Sequence, residues 1–245
     1  MHQEEEKSLS GPLISSPGAA RLVGYSSEQI RKAEDPYLQA GVPLMDRAAA
    51  GLADVVAEFM PSGPGRVLIL AGSGNNGGDG LFAAARLAGA GHAVHVLPVM
   101  GALHPGGLAA AEEAGVQILS GNDAVLEMRA LEQDVVVDAM LGTGSAGRAK
   151  LRGAPLAVVT ELAQQLREGA GFYVVAADIP SGLDPDSGMA LGPVLPATAT
   201  ATFAAPKAGL LLREGPSLSG QIRVIPIGIE EDLAKSEPVA VLNVP

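Results

Sequence analysis

Short apolar runs that do not alternate with polar residues recur along the chain, and helical or turn-rich segments separate them. RVLIL (66–70), AVHVLPV (93–99), VQIL (116–119), DVVVDAM (134–140), YVVAAD (173–178), TATATF (198–203) and IRVIPI (222–227) read as strands. Residues 79–90, 107–114 and 155–168 read as helices. A strand without alternation is buried on both faces, and strands linked through helices run parallel, so helices must cover the sheet on both sides. The expectation is an α/β fold: a three-layer, Rossmann-like, doubly wound and mostly parallel sheet. An N-terminal helical extension precedes it. Its first helix runs from Ser26 or Ser27 to Gln39, its second from about Leu44 to Phe59, and the Gly41–Pro43 stretch parts them.

The 245 residues carry no internal repeat and no interdomain linker, which predicts one domain. Hydrophobic residues make up 47% of the chain but aromatics only 3%, so the core must be aliphatic. A net charge of −11 excludes a nucleic-acid surface, because phosphate contacts need clustered Lys and Arg. No apolar run is long enough to span a bilayer, which leaves no expected membrane partner. Cysteine is absent, so disulfides, thiolate catalysis and zinc–thiolate sites are excluded, and a cytoplasmic location is the expectation. Residues 1–23 have neither helical periodicity nor a signal-peptide pattern and read as a disordered tail.

Three polar, glycine-rich clusters interrupt the apolar background: GSGNNGGDG (72–80), DAMLGTGSAGR (138–148) and DIPSGLD (178–184). Each follows an expected strand, and in an open parallel sheet the strand ends meet at one crevice. Any one of them is ordinary turn chemistry, but together they define a candidate site. Gly72-x-Gly74-x-x-Gly77 fits the dinucleotide fingerprint, yet its context excludes an ordinary hydride-transferring dehydrogenase. VHVLPVMG (94–101) lacks the acidic residue that would hold a ribose, and Asp79 would repel a pyrophosphate at the helix start. The residues suit a neutral, hydroxyl-bearing group together with a hard cation: Asn76, Asp138 and Ser181 offer oxygen ligands. Gly142–Arg148 supplies backbone N–H groups and a guanidinium for phosphate. The four histidines are scattered and read as structural.

GSGNNGGDG, DAMLGTG, DIPSGLDPDSG, TATATFAAPKAGLL and IPIGI, in this order, resemble the YjeF N-terminal domain of the NAD(P)H-hydrate epimerase family. The resemblance covers roughly residues 24–230, including the helical entry at 26–53, and places a single domain over 24–235. It implies a homodimer that interconverts the R and S forms of NADHX and NADPHX, hydrated nicotinamide cofactors with a hydroxyl on ring carbon C6. By motif, Asn75, Asn76, Gly77, Gly78, Asp79, Gly142, Thr143, Gly144, Ser145, Ala146, Gly147, Arg148 and Asp178 would contact the substrate. Asn76, Asp138 and Ser181 would bind one potassium ion (K+) per subunit.

The chain departs from the family pattern at GTGSAGRAKLRG, where either Arg148 or Arg152 would reach the phosphates. Residues 236–245 read as a C-terminal tail, in the place of a linker to an ADP- or ATP-dependent NAD(P)H-hydrate dehydratase. The chemistry of such a substrate needs an acid to assist departure of the C6 hydroxyl and a base to activate the returning water. Asp178, ending a strand at the cleft, is the expected catalytic residue, with Lys207 and Asp79 in reserve. The competing expectation is a non-catalytic scaffold or binding domain of the same fold, which would not need the Asn, Asp and Ser cluster.

Overall fold

The computed structural model describes residues 20–244. The chain opens with β1 (Ala20–Gly24), α1 (Ser27–Gln39) and α2 (Leu44–Ala57). The sheet then begins: β2 (Arg66–Ala71), α3 (Asn75–Gly89), β3 (Ala93–Pro98), α4 (Pro105–Glu113), β4 (Gln117–Ile118), α5 (Ala124–Arg129) and β5 (Val135–Ala139). A single 3₁₀ turn (Thr143–Ser145) leads to α6 (Ala154–Arg167), β6 (Tyr173–Ala177) and β7 (Ala199–Phe203). The chain ends with α7 (Ala208–Leu211), α8 (Gly215–Leu218), β8 (Gln221–Ile225), α9 (Glu230–Leu233) and β9 (Ala240–Val244).

Seven strands form one parallel sheet in the order β4-β3-β2-β5-β6-β7-β8. The winding direction reverses between β2 and β5, where Leu70 pairs with Asp138, and ligand crevices open at such a point. Alternate residues of β2 feed two cores. Val67, Ile69 and Ala71 pack with α2 and α3, whereas Leu68 and Leu70 pack with Val158, Val159 and Leu162 of α6. This two-sided burial is why β2 reads as an unbroken apolar run.

The expected layers and parallel sheet are present, with three differences. First, α3 begins at Asn75 rather than 79, so NNGG is its first turn and not a loop. Second, residues 20–24, mostly assigned to the tail, form β1, which pairs antiparallel with β9 inside the assigned C-terminal tail. Backbone pairing between two distant segments outweighs their weak local pattern. Residues 1–19 of the expected tail lie outside the described residues. Third, the short helices α5, α7, α8 and α9 were not read from the sequence. Among the described residues no helix is long and apolar enough to cross a membrane.

Candidate active site

The glycines of GSGNNGGDG let α3 start hard against the sheet. A Cβ on Gly77 would lie 2.0 Å from the Gly72 carbonyl oxygen, and one on Gly72 would lie 2.0 Å from that of Met140. No side chain caps α3 at Gly74. Its first N–H groups and positive dipole end are therefore available to an anion. Across the reversal point, β5 ends in Asp138 and Ala139 and passes into the Gly142–Arg148 loop. Beyond β6, Asp178 takes the left-handed conformation (φ 68°), one that Asp tolerates better than most residues, and turns the chain into IPSG.

The three clusters meet at Gly142, where a Cβ would lie 3.0 Å from Asp178 Oδ2 and 3.1 Å from Asn76 Cγ. They line a cleft of about 510 Å³. Of the expected substrate contacts, Asn75, Asn76, Asp79, Gly142, Thr143, Gly144, Ser145, Arg148 and Asp178 line it, whereas Arg152 does not. Gly77, Gly78, Ala146 and Gly147 are not among its lining residues. Gly77 and Gly78 are buried in the first turn of α3, where their lack of a side chain serves packing. The N–H of Gly147 is spent on Asp184 Oδ2, at 2.7 Å.

Asp184 sets the position of that loop. Its Oδ1 also accepts from the N–H groups of Asp186 and Ser187 and from Ser187 Oγ. Burial pushes the Asp184 carboxyl up, but these hydrogen bonds outweigh it and leave the group below its ordinary value. The folded pKa is depressed, so its stabilisation is complete above the unfolded-state pKa and fades as pH falls through the folded one. Asp184→Ala would strand the N–H groups of Gly147 and Ser187, at a cost of about 1–3 kcal/mol. Thermal unfolding should show a Tm lowered by at least about 2 °C near neutral pH. The deficit should shrink in acid. A constant deficit across pH would mean that the carboxylate hydrogen bonds are not its source.

The floor of the cleft is charged. Asp178 Oδ2 accepts from the N–H (2.8 Å) and Oγ1 (2.6 Å) of Thr143, and its Oδ1 forms an ion pair with Lys207. Lys207, 1% exposed, also donates to the Phe203 carbonyl at 2.9 Å. Asp79 is 7% exposed. Burial, then the nearby charges of Asp178 and Glu34, push its carboxyl well above the ordinary range against the opposing pull of Lys207. Arg31 and Glu34 of α1, Met100 beyond β3, and Phe203 also line the cleft. The sequence did not single out any of these four. Arg31 and Glu34 sit three apart on α1, and only the chain fold brings that face of the helix to the cleft.

Asn76, Asp138 and Ser181 are linked beneath the cleft. Asn76 Nδ2 donates to the Leu141 carbonyl, the Leu141 N–H donates to Ser181 Oγ, and Ser181 Oγ donates to Asp138 Oδ1 at 2.6 Å. Asn76 Oδ1 is buried and accepts no hydrogen bond. Asp138 is fully buried; burial raises its pKa, opposed only by hydrogen bonds from Ser181 and Met140, and no cationic side chain contributes. Among the described residues no cluster of three or more His, Cys, Asp or Glu could hold a metal.

The fold is a Rossmann-like α/β sheet whose cleft lies at the strand reversal, lined by the uncapped start of α3 and by the glycine loop after β5. Residues 41–209 match the model of the family described as YjeF-related protein N-terminus. An NAD(P)H-hydrate epimerase of Microbacterium testaceum is 42% identical over 222 residues, covering 91% of this chain and 85% of that one. Another, from Clavibacter michiganensis, is 44% identical over 220 residues and covers 88% of this chain and 94% of that one. The chain belongs to the NAD(P)H-hydrate epimerase family, whose members are isomerases. The crystal structure of yeast ynu0 has the same fold, with a TM-score of 0.70 at 22% identity over 91% of this chain and all of that one. Longer relatives named bifunctional NAD(P)H-hydrate repair enzyme match along less than half of their length.

Proposed function

We propose that the cleft interconverts the R and S epimers of NADHX and NADPHX by loss and return of water at C6. The supporting observation is a buried carboxyl, Asp79, pushed well above the ordinary carboxylate range by its burial and lining the same cleft as the Asp178–Lys207 ion pair. Asp79 gives its proton to the C6 hydroxyl, the C–O bond breaks, and the ring-nitrogen lone pair forms a C6=N iminium. Water then adds to the opposite face and Asp178 takes its proton. This divides the work expected of Asp178 alone, because three donors to its two oxygens leave it placed to accept a proton rather than to give one. The N–H groups at the start of α3, the Gly142–Ser145 turn and the Arg148 guanidinium hold the pyrophosphate. The test is chromatographic: purified protein added to one epimer should generate the other at neutral pH, faster than buffer alone.

Asn76, Asp138 and Ser181 would hold one potassium ion, which would neutralise Asp138 and give Asn76 Oδ1 its missing partner. Potassium should therefore raise both Tm and epimerisation rate above those measured in a tetraalkylammonium salt of equal ionic strength. Asp138→Asn should abolish that difference; a potassium effect of unchanged size in the variant would contradict the assignment.

The active unit is a homodimer, which sedimentation at micromolar protein would test. On the same reading, this chain would supply one epimer to an ADP- or ATP-dependent NAD(P)H-hydrate dehydratase.

A further inference from the structure

Helix α1 lies outside the stretch matched by the family model, yet it is fixed to the cleft from several sides. Just before it, the Tyr25 N–H donates to the Pro206 carbonyl and the Ala208 N–H donates to the Tyr25 carbonyl, so the segment flanks Lys207 directly. The Ser27 N–H donates to Asp186 Oδ1 at 2.6 Å, Gln29 Nε2 to the Glu237 carbonyl, and the Tyr37 hydroxyl to Asp232. A Ser26–Gln29 capping box closes its first turn. This rigid seating brings half-buried Glu34 to the wall of a cleft whose other acids, Asp79 and Asp178, are almost sealed from solvent.

The two-carboxyl reaction leaves a problem at the end of each turnover. Asp79 has lost a proton to the departing hydroxyl and Asp178 has gained one from the arriving water. Before the next conversion in the same direction, one proton must leave Asp178 and one must reach Asp79. We propose that Glu34 carries this proton, accepting it from Asp178 and giving it to Asp79, as the member of the cluster in contact with solvent. The inference rests on the epimerase reading given above. Glu34 acts through the two aspartates and not on the substrate.

The charges facing Glu34 fit that task. Burial raises its carboxyl, Lys207 opposes this, and Asp178 and the Asp35 neighbour on its own helix raise it further, with Arg31 pulling the other way. Asp79 faces it from α3 and is raised in turn by Glu34. Two of the three acids of α9, which packs on α1, are engaged elsewhere: Asp232 with Tyr37 and Lys235, and Glu230 with the N–H groups of Ile227 and Gly228; the third, Glu231, is not among the charges that shift Glu34. A half-exposed acid on the wall of the same cleft, its carboxyl raised by burial, is placed to pass protons between solvent and the two aspartates.

The experiment compares wild type, Glu34→Gln and Glu34→Asp, each checked by circular dichroism, in multiple turnover and in single turnover with enzyme in excess. Glu34→Gln should lower multiple-turnover kcat at least about tenfold while the single-turnover rate stays within about twofold. Adding acetate or imidazole buffer should restore kcat in a concentration-dependent way, and Glu34→Asp should keep most of it. A Glu34→Gln enzyme that turns over normally, or one that loses single-turnover rate equally and ignores buffer, would overturn the proposal. Failure of the epimerase reading is distinguishable, because wild type itself would then not convert one epimer to the other.

Discussion

Asp79→Asn is expected to lower kcat by about 10²–10⁴-fold and, at the same time, to raise thermal stability. The first effect follows from losing the proton that the C6 hydroxyl needs to leave. The second follows from the cost of the carboxyl where it sits. Burial, with the charges of Asp178 and Glu34, lifts its folded pKa well above the unfolded value. A carboxyl shifted in that direction favours the folded state least at high pH. As pH rises through the unfolded-state pKa towards the folded one, the native protein must either keep a proton the unfolded chain has released or bury a charge. Asn removes that cost and keeps nearly the same shape. The variant should therefore melt above wild type, with the gap widening as pH rises. Wild-type activity should fall at high pH as Asp79 deprotonates. A kcat within about tenfold of wild type, under roughly 1.4 kcal/mol of barrier, would place the acid elsewhere. Asp178→Asn should cost kcat on a similar scale, because the returning water would lose its base.

Lys207→Met should have the largest effect on folding. Lys207 is 1% exposed and pairs with Asp178 inside a cluster that also contains Asp79 and Glu34. Removing one partner of a buried ion pair leaves an uncompensated charge and costs about 3–5 kcal/mol. That is a large part of a typical total stability of about 5–15 kcal/mol. The loss should appear as a drop in denaturation midpoint with an unchanged m value, and it should shrink in acid as the stranded carboxyls take up protons. Adding Asp178→Asn to Lys207→Met should recover much of it, since replacing both partners of a buried pair is often nearly neutral. Strictly additive losses in the double variant would mean that the two side chains do not stabilise each other.

The centre of the sheet was legible because its strands are buried on both sides, which leaves an apolar run such as VLIL with no polar interruption. The convergence of the three glycine-rich clusters followed from topology, since each ends a strand near the same reversal. The start of α3 was not legible. Asn and Gly are weak helix formers, and only the close seating of Gly77 on the Gly72 carbonyl makes a helix of NNGG. The pairing of β1 with β9 joins the two ends of the described chain, a long-range contact with no local signature. Lys207 was read as a reserve candidate because a sequence shows a lysine but not the carboxylate against it. Glu34 was invisible for a related reason: its helix carries an ordinary polar face, and what turns that face to the cleft is the bridge between Tyr25 and Lys207.

The most direct test of the central claim is to run the epimerisation of a single NADPHX epimer in water enriched in heavy oxygen and analyse the newly formed epimer by mass spectrometry. Loss and return of water at C6 predicts that every molecule of new epimer carries one solvent oxygen at C6, while the recovered starting epimer gains label no faster than the enzyme turns over. The same label should fail to enter with Asp79→Asn. New epimer formed in the cleft with its original oxygen retained would instead require opening and reclosure of the ring at the C6–nitrogen bond, and would contradict the account.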